Sequence, residues 1–193
     1  LLHNRFNNEP IAILWSDHLV KHADRLRSML LRAESMVNEQ KTNFVFIAQK
    51  SRFANQNMGW IEVGEHRETK DDVELYSFQR LWYRPSLEEA ESFFAKKNYV
   101  WNLGYFVTTP KMLMSLYEKF VPQMYADLRK MQDAYGTDSY TTILQEVYPT
   151  LEKISFDDAI LVKLQPDTMF VLSADLGWSD IGAWEALKEA LSD

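Results

Sequence analysis

The sequence predicts an α/β fold, with helices flanking a mixed, mostly parallel sheet. Two observations carry this expectation. The runs IAILW (11–15) and NFVFIA (43–48) are short and almost wholly apolar, the pattern of strands buried on both faces of a sheet. Between them, in LVKHADRLRSMLLRAESMVNEQ (19–40), Leu19, Leu26, Met29, Leu30, Ala33 and Val37 form one apolar stripe, as an amphipathic helix requires. Strand, helix and strand in that order make a βαβ unit.

The remaining elements follow from the same two periodicities and from their punctuation. NMGWIEVGE (57–65) and DVELYSFQRLWY (72–83) read as strands, the second ended by Pro85. Ser86 followed by Glu88 and Glu89 marks a helix start for LEEAESFFAKK (87–97), because a serine caps and acids favour the positive end of the helix dipole. YVWNLGYFV (99–107) is the next strand, and Thr109 before Pro110 opens a long helix that Pro122 must break. After Gly136 a short helix is expected in TDSYTTILQEVYPTL (137–151). DDAILVKL (157–164) and TMFVLSAD (168–175) then read as two strands, followed by a closing helix after Ser179. The opening LLHNRFNNEP resembles the frayed end of a helix delivering the chain into the first strand. No internal repeat or linker interrupts the 193 residues, which fit one domain with an ordinary core.

Composition narrows the function. A net charge of −7 without clustered Lys or Arg excludes a general nucleic-acid surface, since that surface must neutralise phosphates. No apolar run approaches the roughly 18 residues of a membrane span, so no membrane association is expected. The absence of cysteine removes disulfides and thiolate metal sites and is compatible with a cytoplasmic location. A homo-oligomer is equally compatible. His18 and His22 stand at i, i+4, one helical turn apart, but the third ligand and the intervening Glu of a zinc protease motif are missing.

The chemistry-bearing candidates sit where strands end. In open α/β sheets ligands bind outside the carboxyl ends of strands. Asp17 follows one apolar strand and Asp180 another. Each read alone is a helix cap; read together they suit a hard divalent cation whose shell phosphate oxygens complete. Gly59 either admits a ligand to the backbone or marks a bulge. Asn102, beside Gly104, either bonds a sugar hydroxyl or satisfies its own turn. Arg84, at a strand end before Pro85, is suited to a phosphate, with a solvated surface arginine as the alternative.

Taken in order, the motifs SDH, NMGWIEVGE, RLWYRPSLEEAESFFAKKNYVWNLGYF, ISFDDAILVK and SADLGWSDIGAW resemble the sugar nucleotidyltransferases, most closely the mannose-1-phosphate guanylyltransferases. The resemblance spans essentially the whole chain. It implies a Rossmann-like nucleotidyltransferase fold, GTP and mannose 1-phosphate as substrates, GDP-mannose and pyrophosphate as products, and Mg2+ as cofactor. It also implies roles: Asp17 and Asp180 as the metal-binding, catalytic pair; Gly59, Asn102 and Gly104 around the sugar; Arg84 and Lys163 at phosphate.

Departures from the family pattern accompany the match. Tyr83-Arg84-Pro85 stands where the family has Glu-Lys-Pro, so the charge persists at Arg84 and the acid is lost. Val162 replaces a second acid, and Trp15 a common proline. The family's Gly-rich nucleotide loop, approximately GGxGxRLWPLS, is not found. Residues 1–193 are therefore expected to be the later part, the sugar-phosphate and metal side, of a single nucleotidyltransferase domain. The competing expectation, from the same departures, is a non-catalytic or divergent protein that binds sugar phosphate or nucleotide. A third treats the motifs as remnants in an interaction module.

Overall fold

The computed structural model describes residues 8–166, 168–182, 184, 187 and 188. The expected opening helix end and most of the closing helix lie outside them. The chain divides into two compact units, one of residues 10–108 with 165–193 and the other of residues 1–9 with 109–164.

The first unit is built on a six-stranded mixed sheet, which bears out the α/β class. Its strands are β1 (Ile11–Ile13), β3 (Phe44–Lys50), β4 (Gly59–Lys70), β5 (Val73–Trp82), β6 (Tyr99–Thr108) and β7 (Met169–Ala174), in the order β1-β6-β3-β7-β5-β4. A separate two-stranded ribbon joins β2 (Leu19–Val20) to β8 (Trp178–Ser179). Among the described residues only β3 and β7 pair in parallel, and every other pairing is antiparallel. The expectation of a mostly parallel sheet is thus corrected. Apolar runs report burial on both faces, whereas direction is set by connections. Asp71 and Asp72, with φ of 52° and 61°, form a two-residue hairpin turn of the type that matches strand twist, and so reverse β4 into β5.

The expected βαβ unit has parallel strands that are not neighbours. Helix α1 (Ala23–Asn38) connects β1 to β3, but β6 runs between them: Ile11 and Phe44 both face Thr108, and Ile13 and Phe46 both face Phe106. β1 is consequently a three-residue edge strand with Ala12 exposed, rather than the doubly buried strand its composition suggested. β3 is the buried centre, and its alternation divides the core. Val45 and Ile47 pack with Met29, Ala33 and Val37 of α1. Phe44 and Phe46 point to the opposite face, where Phe44 stacks on Phe106 and Phe46 on Phe78 at ring separations of 4.8 and 5.0 Å. Helix α2 (Leu87–Ala95) starts at the predicted Ser86, whose Oγ accepts from Glu89 N while the Glu89 carboxylate accepts from Ser86 N. This reciprocal box satisfies two otherwise unpaired donors and directs Phe93 onto Tyr99, at 4.4 Å.

The second unit is helical. α3 (Pro110–Phe120) is capped by Thr109, and α4 (Pro122–Ala134) restarts at Pro122, so the predicted break falls where the missing N–H costs nothing. α5 (Tyr140–Val147) follows. DDAILVKL is not a strand but one helical turn, α6 (Phe156–Ala159), and a 3-10 turn at Leu161–Lys163. Ser155 overrides the apolar run there: its Oγ accepts from Asp158 N, and Asp157 and Asp158 occupy the first turn, where acids are favoured. Among the described residues no helix is long and apolar enough to cross a membrane.

Candidate functional site

The two predicted carboxylates lie beyond the same end of the β2–β8 ribbon. Leu19 faces Ser179 and Val20 faces Trp178, so the next residues outward are His18 and Asp180, with Asp17 one step beyond. Asp17 is exposed in a turn well ahead of α1, whose N-cap is His22, so the helix-cap reading of Asp17 fails. Asp180 is half-buried, and its Oδ1 accepts from Gly182 N at 3.2 Å, which fixes the carboxylate in an Asx turn. The intervening ribbon also means that His18 and His22 do not share a helix face.

His18 is held by two aromatic side chains. It lies edge-on to Trp178 with ring centroids 5.0 Å apart and stacks on Tyr105 at 5.5 Å. Trp178 Nε1 donates to His18 Nδ1 at 3.1 Å, and the Tyr105 hydroxyl lies 3.1 Å from the same nitrogen. An indole N–H only donates, so this network assigns a lone pair to Nδ1 and the proton to Nε2. Burial lowers the pKa of His18, against the opposing pull of Asp17 and Asp180, and burial raises that of Tyr105.

Behind the ribbon, Gln49 anchors the segment that leads from β7 into β8. It is fully buried at the end of β3, and its Oε1 accepts from Leu176 N at 2.8 Å. Its Nε2 donates to Lys50 O and to Asp175 Oδ1, both at 2.9 Å. Arg25 donates to Asp175 O at 2.6 Å, and Arg52, over the Trp101 ring, donates to Trp178 O at 3.1 Å.

A bulge in β6 builds the adjoining wall. Between Ile47 and Ala48 the partner on β6 jumps from Tyr105 to Asn102, leaving Leu103 and Gly104 as extra residues. Gly104 turns the chain with φ +69°, and Asn102 Oδ1 accepts from its N–H at 3.0 Å. Asn102 therefore satisfies its own turn, the structural alternative for this residue. Gly59 faces Asn102 across the ladder, and a Cβ there would lie 3.1 Å from Asn102 Cβ. Trp15 covers Gly104, and Tyr105, next along β6, reaches His18. Through these contacts the structure gathers Asp17, Asp180, Asn102, Gly104 and Gly59 into one neighbourhood. Arg84 is exposed at φ +47° with its guanidinium 5.3 Å from the Tyr83 ring, and no described contact joins it to that group. Lys163 belongs to the helical unit, on the wall of a cavity of about 420 Å³ also lined by Phe120, Asp127 and Glu152.

The family model of the nucleotidyl transferases matches residues 1–193. The chain belongs to the nucleotidyl transferase family. The mannose-1-phosphate guanylyltransferase of Escherichia coli K12 is 23% identical over 188 residues, covering 97% of this chain and 38% of that protein. Another Escherichia coli protein of that name is 26% identical over 187 residues, covering 95% of this chain and 39% of its own. Among solved structures, the mannose-1-phosphate geranyltransferase of Thermus thermophilus superposes with a TM-score of 0.80 at 24% identity, covering all of this chain and 52% of that one. The mannose-6-phosphate isomerase of Helicobacter pylori gives a TM-score of 0.68 at 17% identity, covering 88% of this chain and 64% of that one. These structural likenesses establish the fold. The chain spans less than half the length of the two curated relatives.

In this nucleotidyl transferase the aromatic residues around His18, and Gln49, were not legible as site residues. Trp178 and His18 stood inside quoted motifs, but nothing in the sequence pairs residues 160 apart. Two measurements probe the local geometry. Gly104→Ala places a Cβ 2.2 Å from Trp15 Nε1 at a left-handed φ, and is expected to lower stability by about 1–2 kcal/mol from the backbone alone. Thermal melts of Gly104→Ala with Trp15→Ala should recover only the steric part. The second concerns Asp175, whose carboxyl is held below its usual range chiefly by the Gln49 amide, with Gly177 N–H helping and burial opposing. A depressed carboxyl stabilises the fold above its unfolded value, near about 4, and that stabilisation is lost as pH falls through the folded value. The Tm advantage of the wild type over Asp175→Asn should therefore be present at neutral pH and fade under acid.

Proposed function

We propose that this chain provides the sugar-phosphate and magnesium side of a mannose-1-phosphate guanylyltransferase-type enzyme, converting GTP and mannose 1-phosphate to GDP-mannose and pyrophosphate. The observation that carries the reading is the placement of Asp17 and Asp180 beyond the same end of the β2–β8 ribbon, with Asp17 released from any capping role. An exposed and a half-buried carboxylate at one end of a ribbon suit Mg2+, which takes one or two carboxylates and keeps its remaining positions for water and substrate phosphates. When bound, the ion neutralises charge developing on the phosphates.

The chain's own residues perform the rest. The Asx turn holds the Asp180 carboxylate still, and Asp17 supplies the second set of oxygens. On the family resemblance, the Asn102–Gly104 turn faces the sugar, with Gly59 leaving room for the Asn102 side chain that shapes it, and mannose 1-phosphate is aligned so that its phosphate oxygen attacks the α-phosphorus in line. The new P–O bond forms as the bond to the pyrophosphate leaving group breaks. Arg84 and Lys163 bind phosphate in this reading on the strength of the family resemblance alone.

A second reading is a protein that binds sugar phosphate or nucleotide without turnover. Tyr83 in place of the family's acid, with the Arg84 guanidinium 5.3 Å from its ring, favours it. Pyrophosphate release by the full-length protein from GTP and mannose 1-phosphate tests both. Turnover that requires Mg2+ is the expected result. Mg2+-dependent binding with no turnover for any nucleotide and sugar-phosphate pair selects the second reading, and absence of both removes each.

A further inference from the structure

We infer that Trp178 and Tyr105, acting through His18, are positioning residues that hold Asp17 and Asp180 in one register so that a divalent cation meets both carboxylates at once. The inference rests on the proposed metal role of the two aspartates.

The ladder that carries them stops short of the carboxylates. Two residue pairs join β2 to β8, and the backbone bonds Lys21 N to Gly177 O and His22 N to Leu176 O continue the contact in the opposite direction, away from Asp17 and Asp180. His18 stands where the register is decided, next to Asp17 in sequence and beside Asp180 across the ribbon. Its ring is fixed from both sides by buried residues: Trp178 on β8, 3% exposed, and Tyr105 on β6, also 3% exposed. The indole donates to Nδ1 at 3.1 Å, and the phenol oxygen is 3.1 Å from the same atom.

The arrangement is directional, unlike a generic apolar contact. Trp178 belongs to the strand preceding Asp180, and its bond runs across the ribbon to the residue after Asp17. That bond adds a side-chain tie between the two metal-bearing segments, beyond the last ladder pair, Leu19 with Ser179. Tyr105 ties the pair to β6 immediately after the Gly104 bulge, so the same contact relates the carboxylates to the proposed sugar wall. A slip of either segment by one residue breaks the Trp178–His18 bond and turns one aspartate to the opposite side of the ribbon.

Mn2+ binding to the full-length protein, followed by electron paramagnetic resonance beside thermal melting, tests this. Trp178→Phe and Tyr105→Phe keep the rings and remove the polar groups. Each is expected to weaken Mn2+ binding by about tenfold, the scale on which contacts behind a metal site act. His18→Asn, which returns an acceptor near the Nδ1 position, is expected to bind within a few-fold of wild type, and His18→Leu to bind as poorly as the Phe variants. Wild-type Mn2+ affinity in Tyr105→Phe and His18→Leu, with affinity lost in Asp180→Ala, overturns the inference and leaves the site reading intact. Undiminished affinity in both Asp17→Ala and Asp180→Ala overturns the site reading and this inference with it.

Discussion

Asp180→Ala is expected to lower the rate of pyrophosphate release by about a thousandfold, because charge stabilisation by a bound cation is worth several kcal/mol and each 1.4 kcal/mol is tenfold. Its Tm should change little. The side chain is half-buried, and its one described hydrogen bond, to Gly182 N, serves a turn near the end of the described chain. Asp180→Asn separates the two duties of the residue: the amide oxygen keeps the turn, while the negative charge is gone. Asn should therefore be as inactive as Ala if the carboxylate serves the cation. Near-normal Mg2+-dependent turnover in either variant sinks the metal assignment, whatever the family membership.

The second large effect is at Gln49. Gln49→Leu conserves volume approximately but strands the buried Leu176 N–H and deprives Asp175 of its principal hydrogen bond. An unpaired buried amide costs about 1–3 kcal/mol, and the whole change about 3 kcal/mol, or ~10 °C in Tm for a chain of this size. The loss should propagate to activity, because residues 175–177 deliver the strand that carries Trp178 and Asp180. Paired denaturation and pyrophosphate-release measurements check both parts. A Tm within about 2 °C of wild type contradicts the anchoring role.

The contrast between these two residues shows what the sequence made legible. Asp180 was visible because acid, glycine and tryptophan crowd one short motif. Gln49 was not, because a glutamine ending an apolar strand looks like the polar residue that leaves the core. Only the parallel pairing of β3 with β7, which places Gln49 opposite Ala174, brings its amide to the peptide of Leu176. The same limit applies to Gly59. Its missing side chain suggested room for a ligand, whereas the space is occupied by Asn102 from the neighbouring strand.

The sequence alone determined where the helices after Ser86 and Thr109 begin, where Pro122 breaks the second of them, and that the NFVFIA strand lies in the core. Ser86, Thr109 and Pro122 act on backbone groups within a few residues, and burial is written in local periodicity. It also determined the family, through motifs whose order survives low identity. The tertiary structure decided strand direction, the insertion of β6 between β1 and β3, the conversion of DDAILVKL into helical turns, and the placement of Asp17 and Asp180 beyond one end of the β2–β8 ribbon. Those outcomes rest on ladders and hydrogen bonds between residues tens to more than a hundred positions apart. A one-dimensional pattern records that such residues are buried or polar, but not which of them become partners.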